Sequence, residues 1–215
     1  MIKINAVLFD LDGVLTDTEG TYTQFWSDVD RRYHTGIDNF ALVIKGNTLD
    51  NILSTYFPDT DTQRLIRADL ADFEAKMHYQ LFDGVLPLLD VLKCNNIPAA
   101  IVTSSNSVKM DGLFAQLPGF RENFAAVITD EDISRSKPDP EGYILAAKRL
   151  GVDPTLCAVF EDSVAGVMAG KASGAFVVGV ATTNTPDKLC DIADIVIGSM
   201  GEALAALRRA ARRAD

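Results

Sequence analysis

Between residues 17 and 84 the chain carries helical periodicity alone, while the rest of it alternates short apolar runs with amphipathic helices. Short β-rich apolar runs stand at 6–9, 99–102, 125–128, 157–160, 176–180 and 195–197. Uninterrupted apolar runs of this length have the character of strands buried on both faces. Helical stretches at 107–116, 141–150, 164–173 and 201–213 lie between and after the later runs. Strand–helix–strand repetition implies an α/β fold with a doubly wound parallel sheet covered on both faces. The interrupting segment has apolar residues at helical spacing, with Phe25 and Val29, then Leu49, Ile52, Leu53 and Tyr56, then Leu65, Ile66, Leu70 and Phe73. Turn-prone residues bound it, Asp17-Thr18-Glu19-Gly20 on one side and Asp83-Gly84-Val85-Leu86-Pro87 on the other, as hinges require. The expected division is a sheet domain from 1–16 and 85–215 with an all-helical domain, 17–84, inserted after the first strand.

A formal charge of −10 with a sequence pI near 4.6 disfavours broad electrostatic binding to nucleic acid or an anionic membrane. Cys94, Cys157 and Cys190 are odd in number and widely spaced, which suits neither a disulfide framework nor a zinc pattern. The first nine residues hold one lysine and a short apolar run, far below a membrane span and without a signal-peptide cleavage region. A cytoplasmic protein with reduced thiols is expected. Arg208, Arg209, Arg212 and Arg213 read as a solvated helix end, where cations complement the helix dipole. With no heptad seam or long apolar surface stripe, a monomer is expected.

Four places at the ends of the apolar runs carry chemistry. The first run leads into Asp10-Leu11-Asp12-Gly13. Side chains two apart in an extended segment point the same way, so Asp10 and Asp12 could share a site, and Gly13 permits a sharp departure. Alone, the pair reads first as a turn or a solvated strand end. The second run leads into Thr103-Ser104-Ser105-Asn106 at the start of a helix; this cluster can cap the helix, cradle a phosphate, or do both with different residues. Lys137 lies in Ser136-Lys137-Pro138-Asp139-Pro140, whose prolines could hold an otherwise ordinary surface ammonium in place. Glu161 and Asp162 follow the fourth run, either as exposed acids before a helix or as hard-cation ligands. In a parallel sheet, ligands bind at the carboxyl ends of the strands, where all four places fall.

This ordered set resembles the haloacid dehalogenase superfamily, within it the branch of β-phosphoglucomutase and phosphoglycolate phosphatase-like enzymes, over nearly the whole chain. The resemblance implies a Rossmann-like core with a helical cap and Mg²⁺-dependent phosphoryl transfer. Asp10 resembles the nucleophile and Asp12 the acid that protonates the leaving oxygen and then activates water. Mg²⁺ would be held by Asp10, the backbone carbonyl of Asp12 and Asp162, with Glu161 in support. Thr103, Ser104 and Lys137 would bind the transferring phosphoryl group. Lys45-Gly46-Asn47 resembles the cap loop that meets substrate, and Glu19 and Tyr22, following the nucleophile loop, are further substrate-binding candidates. The histidines, His34 and His78, have no part in this chemistry.

The expected activity is hydrolysis of a small phosphorylated metabolite, sugar phosphate-like, through an aspartyl-phosphate. A β-phosphoglucomutase-type phosphomutase is the alternative. The mutase pattern has a cap histidine where this chain has Tyr22, and an arginine where it has Leu49. Losing a bidentate phosphate ligand argues against the mutase, while Lys45 keeps it open. Dehalogenation has no use for Asp12 or Asp162, and an idle binding protein on this fold has no need of the complete set.

Overall fold

In the computed structural model, residues 3–203, 205 and 206 are described, excluding the side chain of Glu19. The strands are β1 (Ala6–Phe9), β2 (Ala99–Val102), β3 (Ala126–Ile128), β4 (Cys157–Glu161), β5 (Phe176–Val180) and β6 (Ile195–Ile197). They form one sheet in the order β3-β2-β1-β4-β5-β6, every pairing parallel. The α/β reading therefore holds. Two strand ends differ from expectation, since β3 begins at Ala126 and β4 runs on through Glu161. Glu161 pairs with Gly179 of β5, so a residue expected just beyond the strand belongs to the sheet and is fully buried.

Alternation along each strand divides the core into two layers. Val7, Phe9, Ile101, Phe160 and Val178 face one cluster with Leu88, Leu89 and Leu92 of α5 (Val85–Cys94) and Met110 and Leu113 of α6 (Ser107–Gln116). Ala6, Leu8, Val102, Val159 and Val177 face the other. There they meet Tyr143, Ala146 and Ala147 of α7 (Glu141–Leu150) and Val167 and Ala169 of α8 (Val164–Ala172). Helix α9 (Pro186–Cys190) adds Leu189 to this second layer.

Helix α5 overlaps the expected second hinge. Its first residues, Val85-Leu86-Pro87, read as a turn but form the opening helical turn, where proline's missing N–H would have no partner in any case. Only Asp83 and Gly84 remain as the turn, with Gly84 at φ +93. Met200–Glu202 is a short 3₁₀ segment, and α-helix follows at Ala203, Ala205 and Ala206, so the helix expected from residue 201 begins slightly later. The four terminal arginines lie outside the described residues.

Helices α1 (Glu19–Tyr33), α2 (Phe40–Val43), α3 (Leu49–Tyr56) and α4 (Thr60–Lys76) fill the interruption. They share a separate core of Phe25, Trp26, Val29, Phe40, Ile44, Leu53, Ile66 and Leu70. Thr48 and Asp59 cap α3 and α4 by accepting from Asn51 N and Thr62 N, each supplying an acceptor to an otherwise unpaired amide. The chain leaves and re-enters the sheet layer side by side, as Thr16 bridges Leu81, Asp17 N donates to Gln80 O and Phe82 N to Leu15 O. Met77 and Tyr79 already pack in the sheet's first layer, so apolar burial passes to the sheet well before residue 85.

Candidate active site

Asp10 leaves β1 with its N–H donated to Phe160 O, 3.0 Å away, which fixes it against β4. Lys137, from the loop before α7, places Nζ 2.5 Å from Asp10 Oδ1 and 2.5 Å from Glu161 Oε1. Glu161 is satisfied on both oxygens. Tyr143 donates to Oε1 at 3.0 Å, and Ser163 donates its N–H and hydroxyl to Oε2 at 2.9 and 3.0 Å. Ser163 Oγ also accepts from Gly166 N at 3.0 Å, capping α8. The helix comes this close because residue 166 is glycine: a Cβ there would lie 1.7 Å from Glu161 Oε1.

These contacts leave the cluster short of positive charge. Burial pushes the Asp10 carboxyl up to about 8, with the Lys137 ammonium pulling against it and Glu161 adding to the rise. Burial alone would lower Lys137, but Asp10 and Glu161 outweigh it and hold the ammonium well above its ordinary value. Asp162 is a third buried acid, and carboxylate oxygens of Asp10, Glu161 and Asp162 lie within 4.8 Å of one another. Three clustered acids, two of them sharing the one ammonium, offer oxygen donors that suit a hard divalent cation. Asp162 is pressed against Gly13, where a Cβ would sit 2.2 Å from its Oδ2, so the glycine after the DxD admits the acid as well as the turn. Asn184 Nδ2 holds the Asp162 carbonyl at 3.0 Å.

The Asp12 carboxylate is outside that cluster and has partners of its own. Lys109 Nζ donates to Oδ2 at 2.6 Å, Ser105 Oγ to the same oxygen at 3.2 Å, and the Thr18 hydroxyl to Oδ1. The expectation gave a metal the Asp12 backbone carbonyl, and the carboxylate is engaged by these three donors. Lys109 went unnoticed in the sequence. It is 4 % exposed, and its ammonium lies 4.3 Å from the centre of the Tyr22 ring. A signal was present, because Lys109 stands in the first turn of α6, where the helix dipole opposes a cation and an acidic partner is needed. Tyr22 in turn donates to Glu74 Oε1 at 2.7 Å.

A cleft of about 880 Å³, counting its open mouth, joins these groups between the sheet's carboxyl end and the helical insert. Asp10, Asp12, Thr103, Ser104, Lys109, Asp130 and Asp162 line it from below, and Tyr22, Trp26, Ile44, Lys45, Gly46, Asn47, Leu49 and Glu74 from above. Thr103 is buried and accepts from Ser105 N at 3.1 Å, while Asn106 caps α6 by accepting from Lys109 N. Ser104 Oγ donates to Gly46 O at 3.0 Å, tying the insert's loop to the sheet domain. A Cβ on Gly46 would approach Ser163 Oγ to 2.9 Å, so glycine permits that approach. The Asn47 side chain closes its own turn, donating to Ile44 O and accepting from Asn51 Nδ2. Glu19's side chain lies outside the described residues. His34 and His78 are exposed and away from the cleft lining.

The family profile of haloacid dehalogenase-like hydrolases matches residues 4–174. The fructose-1-phosphate phosphatase of Escherichia coli is 33% identical over 178 residues, covering 79% of this chain and 92% of that protein. A bifunctional riboflavin kinase/FMN phosphatase of Arabidopsis thaliana is 31% identical over 91% of this chain; the chain spans about half, 53%, of its length. Among solved structures, a HAD family hydrolase from Deinococcus radiodurans with bound phosphate and sodium superposes with a TM-score of 0.75. It is 26% identical, with 98% of each chain covered.

Proposed function

This chain belongs to the haloacid dehalogenase-like hydrolases, and we propose that it is a Mg²⁺-dependent phosphatase of a small, sugar phosphate-like monoester. The observation that carries the reading is the division of acids in the cleft. Asp10 sits with Asp162, Glu161 and Lys137, whereas Asp12 is held apart on Lys109, Ser105 and Thr18. That division supports a reading in which one carboxylate attacks and the other transfers the proton.

Mg²⁺ held by Asp10, the Asp12 carbonyl and Asp162 would offset the repulsion between an anionic nucleophile and an anionic phosphoryl group. Asp10 attacks phosphorus as the bond to the leaving oxygen breaks, and Asp12 supplies that oxygen's proton. Water then attacks the phosphorus of the aspartyl-phosphate and gives its proton to Asp12, releasing phosphate and restoring both carboxyls. Lys137, Thr103 and Ser104 hold the phosphoryl oxygens, where positioning and charge supply most of the catalysis. Glu161 acts through Lys137, whose position it sets. Residues 17–84 serve as a cap on the core of 1–16 and 85–215, limiting water around the phosphoenzyme. The protein acts in the cytoplasm as a monomer; no described helix is long and apolar enough to cross a membrane.

At the places where the mutase pattern needs a cap histidine and arginine, the cleft presents Tyr22, engaged with Glu74, and Leu49. That favours hydrolysis. Phosphate release from a panel of sugar phosphates, phosphoglycolate and nucleotides, with Mg²⁺ and with chelator, tests the proposal alongside conversion of β-glucose 1-phosphate to glucose 6-phosphate. Mg²⁺-dependent release is expected; isomer conversion with little release would establish the mutase instead. Asp162→Asn should raise the Mg²⁺ concentration for half-maximal activity by about tenfold or more, with a parallel loss of Mg²⁺ affinity by calorimetry. An unchanged titration removes Asp162 from the ligand set.

A further inference from the structure

A phosphatase cycle asks two proton transfers of Asp12, one to the leaving oxygen and one from water, and both need its carboxyl held in place. Three side chains hold it. Lys109 Nζ and Ser105 Oγ donate to Oδ2 at 2.6 and 3.2 Å, and the Thr18 hydroxyl donates to Oδ1. The three are not equivalent. A hydroxyl donates to a carboxylate and can turn to accept from the protonated acid, whereas an ammonium only donates. Ser105 and Thr18 can follow the proton on and off Asp12, and Lys109 is the fixed donor among them.

Nothing local favours a cation at residue 109. Lys109 stands in the first turn of α6, where the helix dipole opposes it, and it is buried, where an unpaired ammonium is costly. Two groups offset these costs, the Asp12 carboxylate and the face of the Tyr22 ring, 4.3 Å from Nζ. Tyr22 belongs to α1 of the insert and is itself fixed twice. Its hydroxyl donates to Glu74 Oε1 of α4 at 2.7 Å, and its ring meets Phe73 edge-on with centroids 5.7 Å apart. A chain of contacts thus runs from Asp12 beyond β1, through Lys109 of the sheet domain, to Tyr22 and Glu74 on two helices of the insert. The ammonium is backed by a ring that cannot swing away without breaking its own contacts.

We propose that Lys109 is a positioning residue for proton transfer, holding the Asp12 carboxyl where it meets the leaving-group oxygen, with the Tyr22 ring as its backing. The proposal rests on the phosphatase reading, in which Asp12 moves that proton. Esters differ in how much they need it. A p-nitrophenolate departs as a stable anion, whereas an alkoxide has to be protonated as it leaves. A residue that acts through Asp12 therefore matters for alkyl esters and little for the aryl ester. One that only supports the fold matters equally for both.

The test compares kcat/KM, which ends at departure of the leaving group, for p-nitrophenyl phosphate and for alkyl esters, namely benzyl phosphate and the sugar phosphates of the panel above. Lys109→Met keeps the unbranched stem and removes the ammonium. It should lower kcat/KM for the alkyl esters about a hundredfold and for p-nitrophenyl phosphate about threefold or less. Lys109→Gln returns a neutral donor towards Asp12 and should limit the alkyl-ester loss to about tenfold. A misfolded fraction lowers both classes alike, so the ratio between them is independent of stability, and Lys109→Gln carries the same comparison where Lys109→Met does not fold. Equal losses on the two classes, or no loss on either, overturn the positioning role and leave the phosphatase reading standing. Absence of phosphate release from every ester by wild type overturns both.

Discussion

Asp10→Asn is expected to lower Mg²⁺-dependent phosphate release at least about a thousandfold and to abolish the acid-stable trace of phosphoenzyme in quenched reactions. The amide has the carboxylate's shape but cannot form the bond to phosphorus. Folding should survive, because Lys137 keeps Glu161 as a partner at 2.5 Å and the substitution removes a carboxyl whose burial works against its charge. A melting temperature equal to or above that of wild type is therefore expected. Activity within tenfold of wild type, in protein with the same fold, would remove Asp10 from the nucleophile's role.

Lys137→Met should damage both folding and turnover. Lys137 is the ammonium between Asp10 and Glu161, and Glu161 is fully buried at the end of β4. Removing one partner of a buried ionic cluster costs roughly 3–5 kcal/mol, because the charge left behind has no compensation. Here two carboxyls lose the same partner. Urea denaturation should show a loss of that order, and phosphate release should fall with it. Adding Glu161→Gln to Lys137→Met should recover part of the stability without restoring activity, since the phosphoryl group still lacks its cation. A loss below about 1 kcal/mol in the single variant would mean that the cluster is wet enough to tolerate an unpaired acid.

The individual stations differ in how far they could be read from the chain. Asp10 and Asp12 were legible as a pair because they follow a buried strand and precede a glycine. Their separation into two environments was not, since it depends on Lys109, Ser105 and Thr18 arriving from different segments. Glu161 and Asp162 are adjacent in sequence but differ in setting. Glu161 is turned to Lys137, Tyr143 and Ser163 within the sheet, and Asp162 is packed at Gly13. Gly166 was not singled out, because a glycine inside a helix gives no sign of which side chain needs the space it leaves.

The sequence by itself determined the α/β class, the strand order's raw material and the helical insert, because buried strands and amphipathic helices declare themselves through local periodicity. It also put the candidate site residues at strand ends, since motifs carry position along the chain. Tertiary structure alone decided the sheet order β3-β2-β1-β4-β5-β6, the helical start at Val85 and the pairing of Lys109 with Asp12 across 97 residues. Charge balance, burial and shape in the cleft arise from segments that meet only on folding, and no local pattern records which ones will meet.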